Sequence, residues 1–281
     1  GKTILARSIM NLLPKANVHR SGSVRFMGQE LVGLDDRSMR RLLGAEIAMV
    51  FQDPMSSLNP VMTIGKQVTE SLRLHVGMRR EEARLTALAL LREVGIPEPE
   101  QRYTEHPHQL SGGMRQRVMI ALALACGPKL LFADEPTTAL DVTVQAQILN
   151  LLQDNQADRY MAMVLVTHDL GVVAGRADEI AVMYGGRIVE QAPTEVLFSR
   201  MQHPYTEALL RSIPRVENPS HTRLQAIGGR PPDLIESPPG CAFSVRCPYV
   251  QDDCRTETPV LREGPDPYHR FACFHPLRAD G

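Results

Sequence analysis

The chain has 281 residues, with 31 Lys plus Arg against 32 Asp plus Glu and 43% hydrophobic residues. That content supports one large packed domain or two modest ones, and the balanced charge excludes the basic excess that a nucleic-acid partner would select. The longest apolar stretches, such as Val118 to Cys126 and Met161 to Val166, fall far short of the roughly 20 residues of a bilayer span. No secretory leader opens the sequence, so a reducing cytosol is expected, with any membrane role exercised through a partner.

In chain order, Gly1-Lys2-Thr3 followed by the helical run Ile4 to Leu13 reads as the last three positions of a G-x-x-x-x-G-K-[ST] phosphate loop entering its helix. The first five positions and the preceding strand are expected to be missing by truncation. In such a loop Lys2 reaches the β- and γ-phosphates, and the Thr3 hydroxyl ligates Mg²⁺, which prefers hard oxygen donors. Ser23 to Phe26 and Glu46 to Phe51 read as strands, the second stopped at Gln52-Asp53-Pro54.

A helical insert is expected from about residue 64 to 128, including an amphipathic helix over Glu81 to Val94 and a helix capped by Ser111 that runs to Ala125. Strand patterns then return at Leu130 to Ala133, Met163 to Val166, Ile180 to Met183 and Ile188 to Val189. Helices at Val144 to Leu152 and Leu170 to Ala174 separate them. Such alternation predicts an α/β fold, a largely parallel sheet with helices on both faces. Beyond about Met201 prolines and polar residues dominate, and a separate appendage over 201–281 is expected.

Two motifs carry most of the chemistry. Leu110-Ser111-Gly112-Gly113-Met114 puts a hydroxyl and two glycines at a helix start, where exposed N–H groups and the helix dipole favour an anion. Leu130-Leu131-Phe132-Ala133-Asp134-Glu135 is an apolar strand ending in two carboxylates. Asp134 is expected to hold Mg²⁺, and Glu135 to act as the base that polarises an attacking water. His168, at the end of another strand, is expected to contact the γ-phosphate or that water. Gln52 likewise ends a strand, with its amide available to Mg²⁺ or the water.

Taken together and in order, these segments resemble the ATP-binding subunits of ABC transporters. Gly1-Lys2-Thr3 matches the end of Walker A, Gln52 the Q-loop, and Leu110 to Met114 the signature. Leu130 to Asp134 matches Walker B with Glu135 as the catalytic glutamate, Ala139-Leu140-Asp141 the D-loop, and His168 the H-loop. The resemblance implies a P-loop NTPase (RecA-like) fold over residues 1–200 with a helical ABC subdomain. It also implies head-to-tail pairing, in which Ser111, Gly112 and Gly113 act in trans on a partner's nucleotide.

Phe51 to Pro60, Pro107 to Ser111 and His203 to Leu210 are similar to segments of dipeptide and oligopeptide importer ATPases. This implies an ATP-hydrolysing, membrane-peripheral subunit at the cytoplasmic face. Its expected partners are a second ATPase in a heterodimer, two permease subunits and a substrate-binding protein. Import of another solute, such as nickel or glycosides, and a soluble non-transport ABC ATPase are the alternatives.

Four of the five cysteines fall in the series Cys241-x5-Cys247-x6-Cys254-x18-Cys273. In a reducing compartment four soft ligands suggest metal before disulfides. Zinc accepts four thiolates but commonly through closer pairs such as C-x2-C, whereas iron–sulfur clusters tolerate irregular spacing and the Cys247-Pro248 step. Zinc, an iron–sulfur cluster and free or disulfide-linked thiols therefore stay open on spacing alone. The peptide-importer resemblance implies a [4Fe–4S] cluster. His269 and His275, which flank Cys273, are available as substitute ligands but are expected to be solvated, and Cys126 is expected to be a small core residue at the end of its helix.

Overall fold

The structure is a computed structural model describing residues 1–14, 16–138, 140–213, 227–233, 235 and 238–277. The chain packs as two compact units: Thr3–Val166, and Gly1–Lys2 together with the residues from Thr167 onward. No helix among the described residues is long and apolar enough to cross a membrane.

The first unit begins with α1 (Lys2–Ile9), the short antiparallel pair β1 (Arg25–Phe26) and β2 (Gln29–Glu30), and α2 (Asp36–Leu42), which is capped by Asp35. Next come β3 (Ile47–Val50), α3 (Pro54–Ser57) and a run of helices: α4 (Ile64–Ser71), α5 (Arg80–Glu93), α6 (Pro99–Thr104) and α7 (Gly112–Leu124). It closes with β4 (Leu130–Asp134), α8 (Val142–Asp158) and β5 (Ala162–Val166).

Strands β3, β4 and β5 form a parallel sheet in that order, with Ile47 opposite Leu130 and Asp134 opposite Val166. The central strand explains its own sequence. Flanked on both sides and covered on both faces, β4 buries Leu131, Phe132, Ala133 and Asp134, so it reads as continuous apolar residues rather than as an alternation. On one face Leu131 shares a core with Leu91, Ile120 and Ile148; on the other Phe132 packs with Ala6, Met10 and Met39. Each fully buried Leu or Ile contributes roughly 1.5–3 kcal/mol relative to exposure.

The second unit departs from the expected parallel arrangement. After α9 (Leu170–Val173), β6 (Glu179–Tyr184) and β7 (Arg187–Pro193) pair antiparallel. They are joined by Gly185 and Gly186, with φ of 55° and 79°. Two residues can close a hairpin when both take positive φ, whereas a parallel crossover needs a dozen or more. The expectation of one largely parallel sheet through Ile188 is corrected on this ground.

Helices α10 (Thr194–Arg200) and α11 (Pro204–Arg211) follow, then α12 (Asp253–Thr256), β8 (Arg262–Glu263) and β9 (Arg270–Phe271). The sheet order is β6-β7-β9-β8, with Glu190 opposite Phe271 and Gln191 opposite Arg270. The segment expected to stand apart from residue 201 thus returns to pair with β7. The observed division lies between Val166 and Thr167, because backbone pairing ties the proline-rich stretch to the preceding strands.

A buried side-chain cluster reinforces this return. Glu190 on β7 is fully buried and accepts hydrogen bonds from the backbone N–H of Gln202 at 2.5 Å and of His203 at 3.1 Å, and from His269 Nε2 at 2.8 Å. His269 is fully buried, not solvated as expected. Its Nε2 supplies a further hydrogen bond to the Glu190 carboxylate, and a buried carboxylate is stable only when its oxygens are partnered in this way.

Candidate functional site

In the first unit the parallel register brings two strand ends together. Gln52 lies two residues beyond Val50 and Glu135 two beyond Ala133, and Val50 pairs with Ala133. Gln52 Nε2 donates to Glu135 Oε2 at 2.9 Å, and Thr138 Oγ1 donates to the same oxygen at 3.0 Å. The Glu135 backbone has φ 47°, a left-handed conformation unusual for a side chain with a Cβ, and its N–H donates to Val166 O at 2.8 Å. Strain of this kind concentrates where a side chain has to be aimed.

One residue earlier, Asp134 is fully buried, and Thr3 Oγ1 on α1 donates to its Oδ1 at 3.0 Å. A hydroxyl beside a carboxylate is a hard-oxygen donor set of the kind Mg²⁺ takes, so these residues fit that ion. Gly1 and Lys2 group with the second unit, where the Gly1 backbone lies close to that of Gly186.

Ser111 is the N-cap of α7, with its Oγ accepting from Met114 N at 3.3 Å. A Cβ on Gly112 would meet open space, whereas one on Gly113 would lie 3.2 Å from Val144 Cγ1. The start of this helix is therefore open on the Gly112 side. The helix ends at Leu124 rather than Ala125, and Cys126, expected in its core, lies beyond its end, half-buried, with its Sγ 3.6 Å from Ser71 O. Asp141 caps α8, accepting from Val144 N at 2.9 Å; Ala139 of the same motif lies outside the described residues. His168 is exposed in the second unit, just ahead of Asp169, which caps α9.

The second unit gathers the thiols. Cys241, Cys247, Cys254 and Cys273 all line one cavity, together with His203 and His275. Local backbone bonds hold the loops: Cys241 N–H donates to Cys254 O at 2.8 Å, and Arg262 Nη2 donates to Cys273 O at 2.7 Å. Gly240, just before Cys241, has no room for a side chain, since a Cβ there would fall 2.4 Å from Cys254 O.

No disulfide joins any of the five cysteines. Burial, with the neighbouring cysteines adding to it, pushes the Cys241 and Cys247 thiols up and the Cys273 thiol up to about 12. Thiolates crowded into a buried space repel one another, a cost that a shared cation relieves, so the donor set fits a thiolate-bound metal group.

His275 is half-buried rather than solvated, and its Nε2 is 2.9 Å from both oxygens of Asp253. That bond holds the Asp253 carboxyl below the usual carboxylate range. Asp253, Cys254 and His275 place their ligand atoms within 4.8 Å of one another. Sequence reasoning missed Thr138 and Glu190, and gave His203 no role at this cavity. The likeness over His203 to Leu210 was the available signal for His203, while nothing in the local pattern distinguishes Glu190.

Strand-end acids beside a threonine that opens a helix, with a serine–glycine helix start in the same chain, define an ABC-type nucleotide-binding protein. The ABC transporter family profile matches residues 1–138, and that of the oligopeptide/dipeptide transporter C-terminal region matches residues 189–254. The chain belongs to the ABC transporter family of ATP-binding proteins.

It is 50% identical to a probable peptide ABC transporter ATP-binding protein of Sinorhizobium fredii, over 98% of this chain and 82% of that relative. To the dipeptide transport ATP-binding protein DppD of Escherichia coli it is 47% identical over 99% of this chain and 84% of the relative. To the oligopeptide transport ATP-binding protein OppD of Bacillus subtilis it is 48% identical, over 98% and 78%. Among solved structures it is similar to the dimeric ATP-binding cassette MJ0796 bound to ADP and Pi, with a TM-score of 0.56 and 31% identity over 68% of this chain and 79% of that one.

Proposed function

We propose that this chain is an ATP-hydrolysing subunit that powers import of di- and oligopeptides across a bacterial cytoplasmic membrane. The observation that carries the reading is the pairing of Gln52 with Glu135 and of Thr3 with Asp134 at one sheet edge. It occurs in a chain about half identical to dipeptide and oligopeptide transport proteins along nearly its whole length.

Gly1, Lys2 and Thr3 would hold the phosphates, and Thr3, Asp134 and Gln52 would hold Mg²⁺. When bound, that ion neutralises charge on the β- and γ-phosphate oxygens. Glu135 takes the proton of the attacking water, while the Gln52 and Thr138 donors fix the orientation of its carboxylate. His168 is assigned to the γ-phosphate or the same water. Ser111, Gly112 and Gly113, with their N–H groups at the start of α7, are assigned to the nucleotide of a partner ATPase, and Asp141 to the contact between the two subunits.

The partners in this reading are a second ATPase in a heterodimer, two transmembrane permeases and a substrate-binding protein, with the chain peripheral at the cytoplasmic face. Cys241, Cys247, Cys254 and Cys273 are assigned to a [4Fe–4S] cluster, with zinc as the alternative occupant. Support comes from the convergence of four thiols on one cavity. Such a group supplies folding energy to a segment short of apolar residues.

The test is ATP turnover by the assembled transporter, comparing the wild type with Glu135→Gln. Turnover is expected to fall roughly 10²–10⁴-fold with nucleotide binding retained; equal rates would refute the assigned base. Stimulation by binding protein loaded with a dipeptide, but not with nickel or a glycoside, supports the peptide assignment, and the reverse pattern overturns it.

A further inference from the structure

His203 is 1% exposed and belongs to neither the nucleotide site nor the four thiols, yet it is held from several directions. Its backbone N–H is bound by Glu190 Oε2 at 3.1 Å, and its ring lies against Phe243 with centroids 6.1 Å apart. As the N-cap of α11, its Nδ1 accepts the backbone N–H of Tyr205 at 3.0 Å. A ring nitrogen that accepts an N–H carries no proton, so the neutral imidazole bears its hydrogen on Nε2. No described hydrogen bond uses that Nε2–H, and His203 is among the residues that line the cavity shared by the four cysteines. A donor at the wall of a cavity lined by four cysteines gains by finding an acceptor there.

We propose that His203 Nε2–H donates a hydrogen bond to a sulfur of the group held by Cys241, Cys247, Cys254 and Cys273, and so sets its reduction potential. The inference rests on the iron–sulfur reading of those thiols. A hydrogen bond to sulfur stabilises the more negative, reduced form and raises the potential. The same residue caps α11, so the helix and the bound group are positioned by the two nitrogens of one ring.

The test uses the full chain purified without oxygen. Iron and sulfide are measured first, then the potential of the reduced–oxidised couple by redox titration. His203→Asn keeps a short acceptor for the Tyr205 N–H and removes the distal donor. His203→Gln places an amide N–H near the position of Nε2. The expected result is wild-type iron and sulfide in His203→Asn with a lowered potential, and recovery toward the wild type in His203→Gln.

A loaded His203→Asn with unchanged potential reduces His203 to a helix cap and overturns the proposal alone. Wild-type protein without iron and sulfide overturns the cluster reading and this proposal together. Should His203→Asn fail to fold, pulsed EPR of the reduced wild type labelled with ¹⁵N-histidine decides. A ¹⁵N coupling that survives in His275→Asn supports the bond, and its absence from the wild type refutes it.

Discussion

Gln52 and Glu135 are joined by a 2.9 Å hydrogen bond because both stand two residues past a matched pair, Val50 and Ala133, in a parallel ladder. Sheet register, not proximity in sequence, places the Gln52 amide on the Glu135 carboxylate. Removing the donor in Gln52→Ala is expected to lower kcat, and to weaken nucleotide binding in the presence of Mg²⁺ but not in EDTA. A hydrogen bond to a charged group is worth about 1.5–3 kcal/mol, which sets the loss at roughly ten- to a hundredfold. Single-turnover ATPase kinetics alongside nucleotide titration would measure the split, and an unchanged kcat would remove Gln52 from the positioning of Glu135.

The positive φ of Glu135 implies that function and stability pull apart at this residue. Glu135→Gly relieves a left-handed conformation that glycine adopts freely. Thermal unfolding is expected to show a first transition at or above that of the wild type, while ATP turnover is lost. A marked drop in the transition would show that the side-chain bonds from Gln52 and Thr138 outweigh the backbone strain.

Glu190 should behave as a structural tie. Glu190→Leu removes the acceptor of Gln202 N–H, His203 N–H and His269 Nε2 at once, inside a fully buried site. Breaking a buried pair from one side costs about 3–5 kcal/mol. Chemical denaturation should show that loss, and limited proteolysis should cut more readily between β7 and β9. Glu190→Gln keeps one acceptor oxygen and is expected to fall between the leucine variant and the wild type.

Acid should open the first hairpin before the rest of its unit. Glu30 accepts from the Ser23 hydroxyl and from the backbone N–H groups of Val24 and Val32, and these bonds lower its carboxyl from the usual 4.5 to about 2. Because the folded value is the lower one, the stabilisation is present above pH 4.5 and is lost as pH falls from 4.5 through 2. The protection factors of the Val24 and Val32 amides, their exchange rates referred to the unstructured rate at each pH, are expected to fall across that window in the wild type. In Glu30→Gln they should be low throughout and show no such step.

The local sequence determined the pieces that depend on neighbours in the chain. Apolar runs ending in Asp134-Glu135 and at Gln52, helical spacing across the insert, and Ser111 before two glycines each specify their element by period and capping, which act over a few residues.

The tertiary structure alone decided which strand ends face one another, and that the carboxyl-terminal stretch pairs with β7 instead of standing apart. It also decided that His269 is buried on Glu190 and that four irregularly spaced thiols share a cavity with His203. Those outcomes depend on long-range register and on desolvation of polar groups. A buried Glu–His pair and a solvated one have the same letters in the sequence, and only packing against distant segments distinguishes them.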